Sequence, residues 1–305
     1  MKILIAYDGS PCADAAIDDL KRAGLPPEAD SIVVTMADVF PPAPPEAPGT
    51  TVDETAKALL AVAAGKAEQA ARVVQSSFPG WKVRSEASPE SPAWGVLKRA
   101  TEWPADLIVM GSHGMSATDR LFIGSVSQRV MAQAHCSVRV ARSRADAEKA
   151  AVRLIIGFDG SADADAAVRE VASRSWPKDA EVRMITAVDH RMMTAIAAKI
   201  LKLPWLKLEE KRDYSEWLSI MAEGAADQLR SAGLKTTCSL SKGEPKRILL
   251  DAAGQWRADC VFLGATGLRG LGRLLLGSVS SAVTAHAPCT VEVARSSTSA
   301  SKETL

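Results

Sequence analysis

Short apolar runs alternate along the chain with longer stretches of helical character. The runs hold Ile, Val and Leu without a clean alternation of apolar and polar positions, which is typical of parallel strands buried on both faces. Strands that alternate with helices predict right-handed crossovers and an open, doubly wound α/β sheet. We predict strands at 3–7, 31–37, 82–86, 107–110 and 138–141, with helices at 13–23, 53–77, 93–102 and 126–134, and further strands near 154–158, 181–187, 235–240, 260–263 and 290–294.

The second half of the chain repeats the first. Residues 3–10 reappear as 154–161, at an offset of 151, and residues 105–111 reappear as 258–264, at an offset of 153. A period this long indicates duplicated domains and not a solenoid. The sequence therefore predicts two tandem Rossmann-like domains, each an open parallel five-stranded sheet flanked by helices. We place them at residues 1–145 and 151–296, joined by a short polar linker and followed by a disordered Ser-rich tail at 297–305.

Composition is ordinary for a soluble globular protein: 305 residues, 47% hydrophobic, 24% charged, net charge +1. This charge gives no case for binding nucleic acid or an anionic membrane. No run reaches 18 apolar residues, so no membrane span is expected, and the chain opens on a strand-like run and not on a secretory signal. The five cysteines form no CxxC pair. An odd number of unpaired cysteines argues against a disulfide framework and predicts a cytoplasmic protein.

A glycine-rich loop follows the fourth predicted strand of each half, and the two loops have identical spacing. Each reads Gly-x-x-Gly, then nine residues, then Gly-Ser at the start of a predicted helix. Glycine lets the backbone approach a ligand and adopt positive φ. The free N–H groups and the dipole at a helix N-terminus favour an anion, to which serine hydroxyls can also donate. We predict phosphate-binding loops formed by Gly111, Gly114, Gly124, Ser125, Val126 and Ser127 (the first glycine loop) and by Gly264, Gly267, Gly277, Ser278, Val279 and Ser280 (the second glycine loop).

A structural interpretation competes with this one, in which the glycines only form turns and the serines only cap helices. The aspartates that end the first strand of each half also have two possible roles. Asp8 and Asp159 either cap the following helix or turn, or they lie at the carboxyl edge of the sheet and accept from a ribose or hold a metal. Arg120, Arg269 and Arg273 either neutralise phosphate or lie on a solvated face.

No catalytic base is evident in the sequence. His113 is the only histidine near a glycine loop, and Thr266 replaces it in the second half, so we interpret it as a turn-stabilising residue. No Ser/His/Asp or Cys/His set, no metal-ligand spacing and no Walker A motif is discernible. The sequence therefore predicts a regulatory binder with slow hydrolysis at most, with a slow ATPase as an alternative.

These residues resemble a tandem universal stress protein over almost the full length of the chain. The marks are an Asp after the first strand and G-x-x-G-x9-G-[ST] after the fourth, both present twice. The family has a sheet of five parallel strands, like the adenine-nucleotide alpha-hydrolases, and one branch binds ATP through this motif. The resemblance implies a stress-response protein that binds ATP, with or without Mg²⁺. By position, it puts Asp8 and Asp159 on the ribose or adenine side, Asp38 and Val188 beside adenine through their backbone, and the phosphates on the glycines with Ser125 or Ser278.

The two halves depart differently from the family pattern. Members often have Gly-x-Pro after the third strand; the second half has it as Gly243-Glu244-Pro245, whereas the first half reads Glu90-Ser91-Pro92. In addition, Gly95 replaces the apolar residue found at Ile248. A carboxylate near the nucleotide would repel phosphate. We therefore predict that the second glycine loop is the better site and that the first is weaker.

The family resemblance also carries an expectation about assembly. In the family, the last strand pairs domains edge to edge, although here Ser137 and Thr290 replace its usual proline. An internal pseudo-dimer of the two halves would cover an exposed strand edge. The sequence leaves open whether the chain also forms a homodimer.

The halves differ most after their second strands, where the second carries a helical-looking insert near 190–217 with Met192, Met193, Trp205 and Trp217. In one interpretation the insert packs on its own domain or on the other half. In the other, it offers an apolar surface to a ligand or to an unknown protein partner. The protein would then be an interaction scaffold for which nucleotide is irrelevant.

Overall fold

A computed structural model of the chain describes residues 1–39, 52–114, 123–142, 151–189, 214–267 and 276–296. The chain divides into two compact units, Met1–Ala145 and Asp146–Leu305. Each unit is a parallel α/β sheet with flanking helices, which confirms the predicted fold class. The predicted tail at 297–305 lies outside the described residues, as do residues 143–150 of the linker, which we predict near 143–151.

The first unit contains β1 (Lys2–Ala6), α1 (Pro11–Asp19), β2 (Asp30–Met36), α2 (Val52–Ser77), β3 (Lys82–Ser88), α3 (Pro92–Glu102), β4 (Leu107–Gly111), α4 (Ser125–Gln133) and β5 (Ser137–Ala141). A short 3-10 turn at Leu20–Arg22 follows α1. The strand order is β3-β2-β1-β4-β5, so β1 lies at the centre between β2 and β4.

The second unit repeats this plan with β6 (Arg153–Gly157), α5 (Ala162–Ala172), β7 (Glu181–Val188), α6 (Tyr214–Ser231), β8 (Lys235–Lys242), α7 (Pro245–Gln255), β9 (Cys260–Gly264), α8 (Ser278–His286) and β10 (Thr290–Ala294). Its strand order is β8-β7-β6-β9-β10, so β6 takes the central place that β1 has in the first unit.

The core of each unit lies on both faces of its central strands, as the uninterrupted apolar runs predict. Ile3, Leu4 and Ile5 of β1 are fully buried. Helix α2 buries one stripe, which includes Ala70 and Val74, against the face that carries Ile3 and Ile5. The small alanines of this stripe let the helix backbone approach the sheet closely.

Strand register locates the insertion that changes the repeat offset. Asp30 pairs with Lys2, and Glu181 pairs with Arg153, so the second strands correspond at an offset of 151. The third strands begin at Lys82, which pairs with Asp30, and at Lys235, which pairs with Glu181. They therefore correspond at an offset of 153. The two extra residues therefore lie between β7 and β8, a segment whose residues 190–213 are outside the described part of the chain.

Each unit buries an ion pair that involves its last strand. In the first unit, Arg139 Nε of β5 donates to Asp19 Oδ2 at 2.5 Å. In the second unit, Arg174, which follows α5, forms a two-pronged pair with Glu292 of β10; one of its two hydrogen bonds, from Nη1 to Oε2, is 3.0 Å long. Arg139 and Glu292 occupy equivalent positions in the repeat, so the buried charge is reversed between the units.

All five cysteines are free thiols, in agreement with the sequence. Burial is the main cause that raises the pKa of Cys238, to about 11. Within the described residues, the helices are too short or too polar to cross a membrane.

Candidate functional site

The order of strands marks where each unit can hold a ligand. In the first unit, β2 and β4 flank β1 on opposite sides, and in the second unit β7 and β9 flank β6. Open α/β sheets bind ligands at such a switch point, in the crevice outside the carboxyl ends of the strands. The aspartate turn after β1 and the glycine loop after β4 lie at this crevice, and the second unit repeats the arrangement after β6 and β9.

The first unit brings Asp8 and Gly114 together. Asp8 Oδ1 accepts the Ser10 N–H at 2.9 Å, which shapes the turn after β1. A Cβ on Gly114 would lie 2.9 Å from Asp8 Oδ2, so the glycine leaves room that any side chain would fill. Ser10 Oγ donates to the His113 carbonyl at 3.4 Å and holds the aspartate turn against the glycine loop.

The second unit repeats this contact between Asp159 and Gly267. Asp159 Oδ1 accepts the Ser161 N–H at 3.0 Å, and a Cβ on Gly267 would lie only 2.6 Å from Asp159 Oδ2. Ser161 Oγ donates to the Thr266 carbonyl at 3.3 Å. The predicted site residues of both halves therefore converge, in the same geometry, from segments more than 100 residues apart.

The competing interpretation of the aspartates, as caps of the following helix or turn, holds for the turn and not for the helix. Ser10 is the N-cap of α1 and accepts the Ala13 N–H at 3.2 Å, and Ser161 caps α5 in the same way. Asp8 and Asp159 stand two residues earlier and are half-buried at the crevice. Their second carboxylate oxygens face the glycine loops.

The last glycine of each loop is hydrogen-bonded to the beginning of the same loop. The Gly124 N–H donates to the Ser112 carbonyl at 2.8 Å, and the Gly277 N–H donates to the Ala265 carbonyl at 2.7 Å. These hydrogen bonds bring the start of the following helix next to the first glycine pair. Each loop thus begins and ends at the same place, although residues 115–122 and 268–275 between the two ends, including Arg120, Arg269 and Arg273, lie outside the described residues.

Helices α4 and α8 begin with open N-termini. Their N-cap residues are glycines, and no side chain caps either helix. Ser125 and Ser278, at the first helical position, are exposed, while Val126 and Val279 are half-buried. The first N–H groups of each helix, together with an exposed hydroxyl, form the donor set that an anion requires.

The hydroxyl donors predicted from Ser127 and Ser280 are directed elsewhere, which corrects that part of the sequence interpretation. Ser127 Oγ donates to the Gly111 carbonyl at 2.9 Å, and Ser280 Oγ donates to the Gly264 carbonyl at 2.6 Å. Both serines are buried. They hold each helix against the end of the preceding strand because a buried hydroxyl needs a partner.

The first glycine of each loop has a packing role. A Cβ on Gly111 would lie 2.7 Å from the Cys12 carbonyl, and a Cβ on Gly264 would lie 2.6 Å from the carbonyl carbon of Asp163. Backbone atoms of the neighbouring helix therefore occupy the space beside these glycines. Only the second glycines, Gly114 and Gly267, are exposed toward the crevice.

Asp163 is a site residue that the sequence interpretation missed. It lies in the first turn of α5, where Oδ2 accepts from the Thr266 N–H at 3.0 Å and from Thr266 Oγ1 at 2.6 Å. Its Oδ1 accepts from the Ser296 N–H at 3.1 Å and from Ser296 Oγ at 2.9 Å. One carboxylate thus fastens the second glycine loop to α5 and to the segment after β10.

The hydrogen bonds also set the charge of this carboxylate. Burial alone would raise the pKa of Asp163, but the hydrogen bonds from Thr266 and Ser296 together outweigh burial and hold the pKa below its ordinary value. In the first half, Cys12 occupies the equivalent position. The difference between Asp163 and Cys12 is the sequence signal for this residue. It can be interpreted only when α5, the second glycine loop and the segment after β10 are seen to meet.

Replacing Asp163 with asparagine is expected to lower the free energy of unfolding at neutral pH by about 1–3 kcal/mol, the usual worth of hydrogen bonds to a charged group. Because the folded-state pKa is depressed, this stabilisation is present above the unfolded value of about 3.9 and is lost as pH falls through the folded value. Urea unfolding of both proteins at neutral and acidic pH measures the difference.

The same substitution at Asp165, in the same helical turn, is the control and should change stability by less than about 0.5 kcal/mol. An equal loss for Asp163→Asn at both pH values would contradict the assignment, because the stabilisation would then not depend on the carboxylate charge.

The residues predicted to lie beside adenine are at the ends of β2 and β7. Asp38 is exposed and adopts a positive φ of 48°, and the neighbouring Ala37 N–H donates to the Ser88 carbonyl at 2.7 Å. In the second unit, the Gly243 N–H donates to the Val188 carbonyl at 3.0 Å. Strand register makes Asp38 equivalent to Asp189 and not to Val188, so the two predicted adenine-side residues are one position out of step.

Different elements fill this region in the two units, a strand residue in the first and a helix residue in the second. In the first unit, a Cβ on Gly95 would clash with Met36 Sδ, so the methionine of β2 occupies the space beside α3. In the second unit, the equivalent helix position holds Ile248, whose Cδ1 would lie 3.4 Å from a Cβ on Gly243. The departure at Gly95 is therefore compensated by Met36.

Glu90 does not present an unpaired charge to the first crevice. Lys98 Nζ donates to Glu90 Oε1 at 2.5 Å, and Ser88 Oγ donates to Oε2. The hydrogen bond from Lys98, followed by that from Ser88, holds the pKa of Glu90 below its ordinary value. The repulsion that the sequence predicted at the first site is weakened by this neighbouring ammonium.

Different side chains cover the two aspartate turns. In the first unit, Lys66 of α2 donates from Nζ to the Asp8 carbonyl at 2.9 Å, with its stem beside Gly9. In the second unit, the Trp217 ring of α6 lies 3.6 Å from the Cβ position of Gly160 and is 44% exposed. Trp217 is the part of the Met/Trp insert that can be placed; Met192, Met193 and Trp205 lie outside the described residues.

The sequence profile of the universal stress protein family matches residues 1–142 and 152–295. The chain belongs to the universal stress protein family. A universal stress protein of Mycobacterium tuberculosis is 28% identical over 304 residues, which cover 97% of this chain and 97% of that protein. One from Synechocystis is 39% identical over 83 residues, 27% of this chain and 51% of that protein. The crystal structure of a universal stress protein from Archaeoglobus fulgidus shares the fold, with a TM-score of 0.65 at 17% identity over 96% of this chain and 98% of that one.

His113 of this universal stress protein has a structural partner. Ser112 Oγ lies 3.0 Å from His113 Nδ1, and the ring is half-buried. This contact supports the interpretation of His113 as a turn-stabilising residue. Within the described residues, no three His, Cys, Asp or Glu side chains converge as a metal site.

Proposed function

We propose that this universal stress protein binds adenine nucleotide, ATP in particular, at the glycine loops of both units and acts as a regulatory binder in the stress response. One observation carries the proposal. In each unit, an exposed glycine faces a carboxylate oxygen, Gly114 with Asp8 and Gly267 with Asp159, beside an uncapped helix N-terminus. This arrangement offers a phosphate cradle and a hydrogen-bond acceptor for a ribose in one crevice.

The arrangement fits the chemistry of a nucleotide on several counts. Phosphate oxygens would accept from the first N–H groups of α4 or α8 and from the exposed hydroxyl of Ser125 or Ser278. One oxygen of Asp8 or Asp159 faces the glycine loop in each unit, where it would accept from ribose hydroxyls. The base would lie along the ends of β2 or β7, near Asp38 or Val188. Mg²⁺ bound with ATP would rest mainly on phosphate oxygens and water, which suits the preference of this ion.

Hydrolysis is slow at most in this proposal. Phosphoryl transfer to water needs a group that orients or deprotonates the attacking water. His113 is the only histidine at either loop; it contacts Ser112, and Thr266 takes its place in the second unit. Binding without efficient turnover suits a protein whose output is read from its nucleotide state.

The test begins with the protein as purified. Denaturing it and separating the supernatant by ion-exchange chromatography should reveal adenine nucleotide, and calorimetry on the emptied protein should show ATP binding, with Mg²⁺ and with EDTA. GTP is the control ligand, because it carries the same phosphates on a different base. If neither ATP nor AMP binds the emptied, folded protein, the proposed function is wrong.

A further inference from the structure

We propose that helix α2 of one copy of this chain packs antiparallel against helix α6 of a second copy, through a stripe of exposed, uncharged residues on each helix. The inference goes beyond the proposed function and does not depend on nucleotide. The two helices occupy equivalent places in the repeat, between the second and third strands of their units. Among the residues that the structure describes, five of the eight exposed large apolar side chains lie on these helices: Leu59, Val62, Val73, Trp217 and Ile220.

Each stripe runs along one side of its helix, because its members recur at intervals of three and four residues. The α2 stripe consists of Thr55, Ala58, Val62, Gly65 and Gln69. The α6 stripe consists of Trp217, Ile220, Gly224, Gln228 and Ser231. All ten residues are exposed, and none of them is charged. An exposed apolar surface bordered by charged residues marks a site of protein–protein contact.

The two stripes are complementary in shape. A Cβ on Gly65 or on Gly224 would meet no atom within 4 Å, so open space lies beside both glycines. When Gly65 is placed opposite Ile220 in an antiparallel pair, Val62 falls opposite Gly224, about one helical turn away. Ile220 is 62% exposed and Val62 is 60% exposed, so each large side chain would leave water and fill the space beside a glycine.

The charges beside the α6 stripe exclude pairing of this helix with itself. They belong to three acids and one base: Glu216, Glu223, Asp227 and Arg230. An antiparallel pair of α6 helices centred on Gly224 would bring the two Glu223 side chains together near the axis. Like charges in such positions repel each other and oppose association.

The charges beside the α2 stripe favour α6 as the partner. Lys57 and Arg72 are exposed on the same side of the stripe, with Glu54 and Glu68. In the register that Gly65 and Ile220 define, Lys57 comes within about one turn of Asp227. Arg72, which contacts Glu68 at 3.8 Å, comes within about one turn of Glu216. Pairing of α2 with itself about Gly65 would instead set Lys57 beside Arg72.

The size of the contact determines how tightly two copies associate. Helix α6 has 18 residues and is therefore about 27 Å long. One helix pair of this length buries less than the roughly 1,200 Å² that specific, stable complexes bury. Each chain carries both stripes, so two copies can form the contact once or twice. We therefore expect reversible association that rises with protein concentration.

Sedimentation velocity of the full chain over a wide range of concentration tests the proposal. Ile220→Glu should raise the dissociation constant of the assembly about 30-fold or more, because it places a charge against an apolar surface. Trp94→Glu is the matched control, since Trp94 of α3 is also 62% exposed and lies on neither stripe. It should leave association unchanged.

Exchange of two charges tests the choice of partner helix. Arg72→Glu should weaken association roughly 2- to 5-fold, and the double variant Arg72→Glu with Glu216→Arg should restore it. Carbodiimide coupling should join Lys57 to Asp227. In a mixture of isotopically light and heavy chains, mass spectrometry should find this link between the two kinds of chain.

Three outcomes would overturn the inference: a chain that stays monomeric at every concentration, association that Ile220→Glu and Trp94→Glu change alike, or links between copies that join α6 only to α6. None of them bears on nucleotide binding, so the proposed function would stand. Circular dichroism checks folding. If Ile220→Glu does not fold, Val62→Glu on the facing helix tests the same contact.

Discussion

Replacing Arg174 with methionine is expected to lower the free energy of unfolding of the second unit by about 3–5 kcal/mol. Arg174 forms a two-pronged ion pair with Glu292, and the side chains are 4% and 0% exposed. Loss of the guanidinium removes this two-pronged partner from a fully buried carboxylate and takes away the cation that lies over the Phe262 ring. Less of the desolvation cost of that charge is then offset, so breaking this buried pair costs more than breaking an exposed one.

Urea unfolding followed by circular dichroism measures the loss, and hydrogen exchange of β9 and β10 assigns it to the second unit. Arg230→Met removes an exposed pair with Asp227 and should cost less than about 1 kcal/mol. The double variant Arg174→Met with Glu292→Leu should recover most of the stability, since an apolar pair can replace a buried ion pair. A loss at Arg174 no larger than at Arg230 would contradict the expectation.

Nucleotide binding at the second loop should fall roughly 100-fold or more in Gly267→Val. A Cβ at this position would lie 2.6 Å from Asp159 Oδ2, so either the carboxylate or the loop must move. The remaining valine atoms would then occupy the space that the phosphates require. Calorimetry in the Gly114→Val background, with both ATP and AMP, isolates the second site.

Gly254→Ala is the matched control for this substitution. Gly254 lies in α7, where a Cβ would meet no atom within 4 Å, so alanine should leave affinity unchanged and raise stability by about 1 kcal/mol. If Gly267→Val binds both nucleotides as well as the control does, the phosphate site lies somewhere other than the glycine loop.

Much of the fold follows from local patterns in the sequence. Buried strands such as Ile3–Ile5 are apolar at successive positions, and this pattern depends only on neighbours along the chain. The convergence of Asp8 with Gly114 was likewise predictable, because a doubly wound sheet brings the carboxyl ends of adjacent strands to one edge.

Other features depend on contacts that no local pattern records. The sequence presents Ser127 as a phosphate ligand, but its hydroxyl donates a hydrogen bond to the Gly111 carbonyl. Asp163 draws Thr266 and Ser296 together from distant segments, and its sequence neighbourhood resembles any acidic first turn of a helix. Hydrogen-bond partners chosen by tertiary packing decide the role of each side chain, so the residue type alone misassigned the first and missed the second.

The reversed ion pairs of the last strands bear on how the duplicated halves can evolve. Arg139 is matched to Asp19, and Glu292 to Arg174, each within its own unit. A recombination that copied β10 into the place of β5 would set the buried Glu292 against the half-buried Asp19, two carboxylates in place of an ion pair. We expect this exchange to destabilise the first unit. This pair of charges therefore acts as a barrier to homogenisation, which leaves the two halves free to specialise.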